Sequence, residues 1–406
     1  MKKVLVLGGG LSGLAAAKSL NKDYDVTILE KESACGGLAS SINIEGYKVP
    51  FVYHHVFHHD ETTKRVLNDA KMLSSVDWKR IKMGINADDA TYDFASPVGL
   101  LRFNYLSPAA RVRFALFAAQ FFLKSDFTKL AGDAESWLLK GAGRELVEKL
   151  FRPLVFNKFA MPLNKVSAAW LASRLANKEA RGLFGYPKGG FDGMVKHLVK
   201  GLKVVNDFNL KSIDLRNKTV NGIKFDALVS SIPLPVFLSK VKGLSPKLAR
   251  DWSRVKYERH VSVILTYDSP ISDFYWINIF NKKFGGLIEH TNLYDAYPFK
   301  LSYVFKYDPS LAFYNLSDSK LIAMAVSQAK RLNPGFKLRK AYVTRLPFAE
   351  PIYESAYPSY APLNTVSYDG GLFMSGVQTT YPLIRTMNTA FDSGYSSARA
   401  VREFLK

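Results

Sequence analysis

The chain has 406 residues and is 48% hydrophobic, enough to bury a large core and to fill two or three lobes. A formal charge of +21 admits nucleic acid, an anionic membrane surface or an acidic substrate as partner, but 13% aromatic content with no arginine-rich run or zinc knuckle argues against nucleic acid. The single cysteine, Cys35, excludes an intrachain disulfide; no apolar run reaches the length of about 18 residues that a transmembrane helix needs, and glycines interrupt the first apolar run too early for a signal peptide, so the expectation is a cytoplasmic protein.

The strongest local signal is the N-terminal KKVLVLGGGLSGLAAAKSL. VLVL is a short continuous apolar run, the pattern of a parallel strand buried on both faces. Gly8, Gly10 and Gly13 complete G-x-G-x-x-G. The first permits the tight turn, the second lets backbone approach a pyrophosphate, and the third lets helix and strand pack closely. A helix follows whose first N–H groups, from Leu11 and Ser12 onward, point at the phosphates. DVTILE reads as the second strand and ends on Glu30, 20 residues after Gly10, with Lys31 next. A carboxylate there accepts hydrogen bonds from ribose hydroxyls and repels a 2′-phosphate.

EKESACGGLASS then sets Gly36 and Gly37 six and seven positions after Glu30, followed by Leu38 and Ala39. This resembles the E-x5-G-G-[RL] signature of the FAD-dependent amine oxidase superfamily, which includes monoamine oxidases, protoporphyrinogen oxidases, phytoene desaturases and, more distantly, UDP-galactopyranose mutases. The resemblance implies FAD as cofactor, with the second glycine pair close to the flavin and its ribityl–phosphate chain. Cys35 reads as a small packing residue.

VPFVYHHVFHHDE holds His54, His55, His58 and His59, four of the chain's seven histidines. His55 and His59 are at i, i+4, but no further Cys, His or Asp motif completes a site, so no metal is expected. In the superfamily this position runs beside the isoalloxazine ring, and HVFHHD also resembles the H-[IV]-F-H-[TS]-[DN] run of UDP-galactopyranose mutases. His54 and His55, nearer the glycine pair, are the candidates for a cofactor wall; histidine can donate, accept or stack near neutral pH.

Residues 95 to 180 read as helices that cap the fold. LSPAARVRFALFAAQFFLKSD is mostly apolar, with Arg111, Arg113 and Lys124 near its ends. Two arrangements fit it: a helix buried on the core, or a Phe-rich face, residues 114 to 123, resting on an anionic bilayer as the cap of protoporphyrinogen oxidase-like proteins can. The second extends the expected location to peripheral attachment on the inner face of the membrane.

The superfamily assembles its FAD domain from three separated segments, and two more resemble it here. GYPKGGFDGMVKHLVKGLKVVNDF resembles the second, with Val204 the candidate backbone contact at the adenine; the strand FDALVSSIPLPVF ends near Ser231, at the cofactor turn. GGLFMSGVQTTYPLIRTMNTAFDSGYSSARAVREFL resembles the third, placing Gly376 and the helix start at Met387 against the flavin; the acidic residue many relatives carry after the strand glycine is replaced by Val377 and Gln378. Between them, HVSVILTYDS, YWINIF, GGLIEHTN, LSYVFKY and KAYVTRLPFAEPIY read as strands, and E-H-T-N with Y-P…R…N resemble a protoporphyrinogen oxidase-like subgroup.

The expected architecture is α/β: a Rossmann-type FAD-binding domain of three discontinuous segments (1–60, 185–240 and 365–406), a mostly antiparallel β-sheet substrate domain (61–94 and 241–364) and a helical cap (95–184). The candidate catalytic residues are His54, His55, Glu289, His290 and Arg385. The resemblance implies an oxidoreductase moving a hydride between flavin and a largely apolar or amphipathic substrate, a small or lipid-like molecule. The alternative is a redox-neutral mutase of nucleotide sugars, of the UDP-galactopyranose mutase type.

Overall fold

The computed structural model describes residues 1–123, 126–177 and 182–406; Lys124, Ser125 and the stretch 178–181 lie outside the described residues. The apolar run Lys3–Leu7 is the central strand of a five-stranded sheet, ordered Lys203–Val205, Asp25–Leu29, Lys3–Leu7, Ala227–Ser230 and Leu372–Met374. Every pairing in it is parallel. Its strands therefore come from three distant parts of the chain. Both faces are covered, which is why the sequence shows runs rather than alternation: Val4 and Val6 join one apolar core, Leu5 and Leu7 another.

Helices Leu11–Leu20 and Met387–Leu405 pack together on one face. Their contact is unusually close because both sides are small. A Cβ on Gly394 would stand 2.2 Å from the Ser12 carbonyl oxygen and 2.8 Å from the Ala15 Cβ. Ala390, Ser393, Gly394, Ser397 and Ala398 thus act as a packing stripe; Ser393 and Ser397 also hydrogen-bond the neighbouring strand end, at Gly376 N–H and Met374 O.

The second layer is a seven-stranded sheet, ordered Lys340–Pro351, Tyr257–Tyr267, Lys300–Asp308, Gly286–Glu289, Trp276–Ile279, Met83–Ala87 and Ala90–Asp93. It is antiparallel except where Trp276–Ile279 runs alongside Met83–Ala87. Side chains alternate across it. Val261, Val263 and Leu265 face a small core closed by helix Asp318–Leu332, which reading the whole of 240–365 as strands does not anticipate. Ile264, Tyr303, Phe305 and Tyr307 face the nucleotide-binding layer.

The cap comprises helices Pro97–Arg102, Pro108–Leu123, Ala134–Gly141, Arg152–Phe159 and Ala168–Ala176, with shorter turns between them. The phenylalanine face of Pro108–Leu123 turns inward: Phe117 and Phe121 are buried against Trp137, Phe127 and Phe151. Exposed on the cap are the aliphatic side chains Val98, Leu101, Val112 and Leu116 of its first two helices, and separately Leu139 and Phe156. No described helix is long and apolar enough to cross a membrane.

Candidate active site

The glycine turn and the second glycine pair meet in space. Gly36 N–H donates to Gly9 O at 2.9 Å, and a Cβ on Gly37 would lie 3.0 Å from Gly10 Cα. Gly8 sits at φ +95°, which only glycine adopts without strain. Ser231 Oγ donates to Leu7 O at 2.8 Å and locks the turn from the Ala227–Ser230 strand. The helix behind the turn starts at Leu11, capped by Gly10 with no side-chain bond, and has no acidic residue in its first turn. Its leading N–H groups are thus free for an anion.

Glu30 is buried and fixed from below: its carboxylate accepts from Gly9 N–H at 2.5 Å and Glu32 N–H at 2.9 Å. The carboxylate lone pairs left over suit two ribose hydroxyls. Val204 lies on the outer strand of the sheet, in register with Ile28. Ser12 Oγ and Ser375 Oγ are 2.5 Å apart, and Gly376 N–H donates to Ser393 Oγ at 2.9 Å, so the first and third segments are joined directly. Met387 is buried at the start of its helix, capped reciprocally by Thr386 and Thr389. Gln378, at the position where an acid is common, turns inward and donates to Ser375 O at 2.6 Å. Leu38 and Ala39 continue the turn after Gly37, whereas Lys31 is exposed and pairs with Glu32. These features fit a dinucleotide: glycine backbone and helix N-terminus for the pyrophosphate, Glu30 for a ribose, an open strand edge for the base. Cys35 beside them has its thiol pushed up to about 11, by burial first and then by Glu30, which makes it an inert packing group.

The histidine run is split by the short strand Val56–Phe57. His58 is exposed, edge-on to Trp78, and His59 stacks on Phe57. His54 and His55 turn the other way. His54 Nδ1 lies 2.6 Å from Val52 O, an acceptor only, so Nδ1 carries the proton and Nε2 is left as an acceptor. His55 Nδ1 is 3.0 Å from Tyr275 Oη, and its ring packs on Phe57 and Phe184. Burial lowers His54 to about 4 and His55 to about 3, so both are neutral at pH 7.

His290 is fully buried among Tyr186, Tyr294 and Tyr303, with neither ring nitrogen hydrogen-bonded among the described residues, and burial lowers it to about 3. Arg385 donates to Ala349 O at 3.0 Å and Tyr307 Oη at 3.2 Å, and Tyr307 Oη meets Tyr53 Oη at 2.9 Å. Its positive charge is felt by His54. The structure thus brings His54, His55, His290 and Arg385 to one aromatic wall between the two sheets.

It does not bring Glu289 there. Strand alternation turns Glu289 to the opposite face from Ile288, where it accepts from Tyr267 Oη at 2.6 Å, Ile271 N–H at 3.0 Å and Thr291 Oγ1 at 2.9 Å. Glu289 is a buried, fully bonded clamp for the loop before Trp276, and Asn292 similarly holds Ser272 O. Arg345 likewise points away, to Tyr314 O and Leu316 O.

Sequence reading missed a buried ionic cluster on this wall. Lys158, from cap helix Arg152–Phe159, donates to Glu258 Oε1 at 2.9 Å and Glu350 Oε2 at 2.6 Å, with its ammonium 3.9 Å from the Tyr307 ring centre. Arg385 Nε stands 4.0 Å from Glu350. His260, two residues after Glu258 on the same strand face, packs on Tyr307 with both ring nitrogens unbonded among the described residues. The one available signal was charge and histidine within the otherwise apolar strand YERHVSVILTY. Among the described residues no three His, Cys, Asp or Glu side chains are grouped to hold a metal ion.

A parallel dinucleotide-type sheet built from three chain segments and packed against an aromatic, histidine-bearing sheet fits a flavoprotein oxidoreductase. The chain matches the family described as flavin containing amine oxidoreductase over residues 11–402 and belongs to it; its cofactor is FAD. Its fold is similar to that of reduced UDP-galactopyranose mutase (17% identity, TM-score 0.79, covering 100% of this chain and 96% of that one). It is also similar to a protein provisionally assigned as protoporphyrinogen oxidase from Exiguobacterium sp. 255-15 (14% identity, TM-score 0.81, 99% of each chain). An uncharacterized protein of the nifH2 3′ region of Methanothermococcus thermolithotrophicus is 44% identical over 69 residues, 16% of this chain and 67% of that one.

Proposed function

We propose that the protein transfers a hydride between FAD and a small, largely apolar or amphipathic substrate bound under the aromatic face of the seven-stranded sheet. The observation that carries this reading is the convergence of His54, His55, His290 and Arg385 on that face. FAD supplies the two-electron redox chemistry when bound. The chain's own residues set position and charge. Rings from Tyr53, Trp276, Tyr303 and Phe305 exclude water and give flat apolar contact. Neutral His54 and His290 offer hydrogen bonds without adding charge. Arg385 is a fixed cation able to hold a carboxylate, polarise a carbonyl or stabilise negative charge on reduced cofactor. Residues 1–60, 185–240 and 365–406 act as the cofactor domain, 61–94 and 241–364 as the substrate domain, and 95–184 as its cap.

The test is anaerobic spectrophotometry of the yellow holoenzyme against amphipathic amines, alcohols and prenyl-type lipids. Bleaching of the flavin band by substrate, with colour recovered in air, is the expected result. The HVFHHD likeness favours a second reading, a redox-neutral nucleotide-sugar mutase. Turnover of a nucleotide sugar only after dithionite reduction, with no net electron flow, would replace the first reading with that one.

The exposed edge of Val98, Leu101, Val112 and Leu116, beside Arg102 and Arg111, suits docking on an anionic bilayer. Salt-sensitive co-sedimentation with anionic liposomes, lost in L101E/L116E while flavin is retained, is expected. Equal recovery of both proteins with the supernatant at low salt rejects the docking.

A further inference from the structure

Four elements contribute charge to the wall beneath Tyr307: a cap helix with Lys158, two adjacent sheet strands with Glu258 and Glu350, and the C-terminal segment with Arg385. Glu258 and Glu350 are directly opposite in the register, a placement that two carboxylates share only with cations between or beside them. With both ionised, the charges of Lys158 and Arg385 balance them and the cluster is neutral. The two carboxylates are not equivalent. Glu350 has Lys158 at 2.6 Å and Arg385 at 4.0 Å. Glu258 has Lys158 alone, and its Oε2 is buried with no hydrogen-bond partner among the described residues. Next to it on the same face, His260 has two nitrogens with no hydrogen-bond partner among the described residues. A carboxylate that keeps one oxygen dry and unpaired is poised to take a proton, because the protonated form removes the desolvation cost.

Resting on the reading that flavin and substrate meet at this wall, we propose that Glu258 is a proton-uptake site that compensates negative charge arriving in the cavity, with Lys158 as its positioning residue. At a pH where Glu258 is ionised, above about 8, negative charge appearing near Arg385 and His54 makes the Glu258 carboxylate take one proton from solvent. One O–H bond forms, and the cluster passes from zero to plus one. When that charge leaves, the proton is released. Burial pushes Glu258 up to about 8, against the pull of Lys158, with Glu350 adding to the rise and Arg385 opposing it. Burial also works against charge on Glu350, but Lys158 and then Arg385 outweigh it and hold its carboxyl below the usual range, so the two glutamates divide the roles. His260, lowered well below 6.5 by burial and then by Arg385 and Lys158, stays neutral and relays rather than stores the proton.

The experiment compares oxidised and dithionite-reduced holoenzyme, since reduction with dithionite puts negative charge in the site without any substrate. Proton uptake per flavin is followed with an indicator dye in weak buffer, and reduced-minus-oxidised infrared spectra report protonated carboxyl. The expected result above about pH 8 is up to one more proton taken up per flavin by wild type than by E258Q, with a carboxyl C=O band that E258Q lacks. The difference disappears well below that pH, where Glu258 already carries its proton. Glu258→Asp retains the band, and Lys158→Gln moves the window to higher pH by removing the ammonium that favours the ionised form. Equal uptake and identical infrared differences in wild type and E258Q overturn the assignment. That failure is separate from failure of the hydride-transfer reading, which is judged by substrate bleaching.

Discussion

Gly13→Ala is expected to purify without flavin. A Cβ at position 13 would stand 2.0 Å from the Gly8 carbonyl oxygen, far inside contact distance, and 2.8 Å from Ser231 Oγ. The Gly8 oxygen belongs to backbone, and the turn carrying it is held by Gly8 N–H to Leu29 O at 3.0 Å and by Ser231 Oγ. Neither partner can yield without separating the Leu11–Leu20 helix from the central strand. The displaced helix would then aim its N–H groups away from the pyrophosphate. Overpacking of this kind costs on the order of 3 kcal/mol or more, in addition to the lost cofactor. Gly394→Ala should displace the same helix from its other side, through the Ser12 carbonyl 2.2 Å away. Gly46→Ala is the control: φ is +88°, but nothing lies within 4 Å of the added carbon. It should lose about 1 kcal/mol of stability and keep its colour. Absorbance of the purified variants at the flavin band, with and without added FAD, checks all three. A yellow Gly13→Ala protein of unchanged stability would mean that the turn and helix are not packed as described.

The contrast between what the sequence revealed and what it hid follows from the range of the interactions. The VLVL run, the glycine spacing and Glu30 are local: strand, turn and helix lie within about thirty residues, and each residue type has one steric or electronic reason to be there. The parallel sheet was legible for the same reason, since Ala227–Ser230 and Leu372–Met374 are apolar on both faces. Facing direction was harder. In Gly286–Glu289 the period-two alternation puts Ile288 and Glu289 on opposite sides, but it does not say which side looks at the cofactor. Ile288 took the wall and Glu289 took Tyr267. His290 lies past the strand end, in a turn that brings it back to the wall. Least legible was Lys158, whose partners Glu258 and Glu350 are 100 and 192 residues away. Neither local spacing nor charge pattern links one lysine of a cap helix to two strands of a sheet. The amphipathic helix Asp318–Leu332 was hidden for a different reason: it lies between β-rich stretches and closes the far face of their sheet.

Acidification from pH 6.5 should destabilise the protein steeply, because the buried His260 and His290 and the half-buried His54 and His55 are neutral in the fold. His54 is lowered to about 4, His55 and His290 to about 3, and His260 well below 6.5, each by burial first. Between those values and 6.5 the unfolded chain binds protons that the folded chain refuses. Stability therefore falls as pH falls, by up to about 1.4 kcal/mol per pH unit for each histidine. Two glutamates act in the opposite sense. Burial raises Glu258 to about 8 and Glu289 to about 7, so the folded chain holds their protons where the unfolded chain does not. Their contribution is complete below the ordinary carboxylate value of 4.5 and is lost as pH rises through 7 and 8. From 4.5 to 6.5 four histidines oppose two glutamates, leaving a net loss on acidification of up to roughly 3 kcal/mol per pH unit. Between pH 6.5 and about 8 the two glutamates set the slope, and it reverses. The stability maximum should therefore lie near pH 6.5, read as the urea midpoint across the pH range at fixed FAD. His290→Gln, which removes one neutral imidazole with no hydrogen bond to lose, should flatten the acid limb by about a quarter of the gross histidine slope. A maximum below pH 5, or an acid limb unchanged in that variant, would place these rings in contact with water rather than inside the aromatic wall.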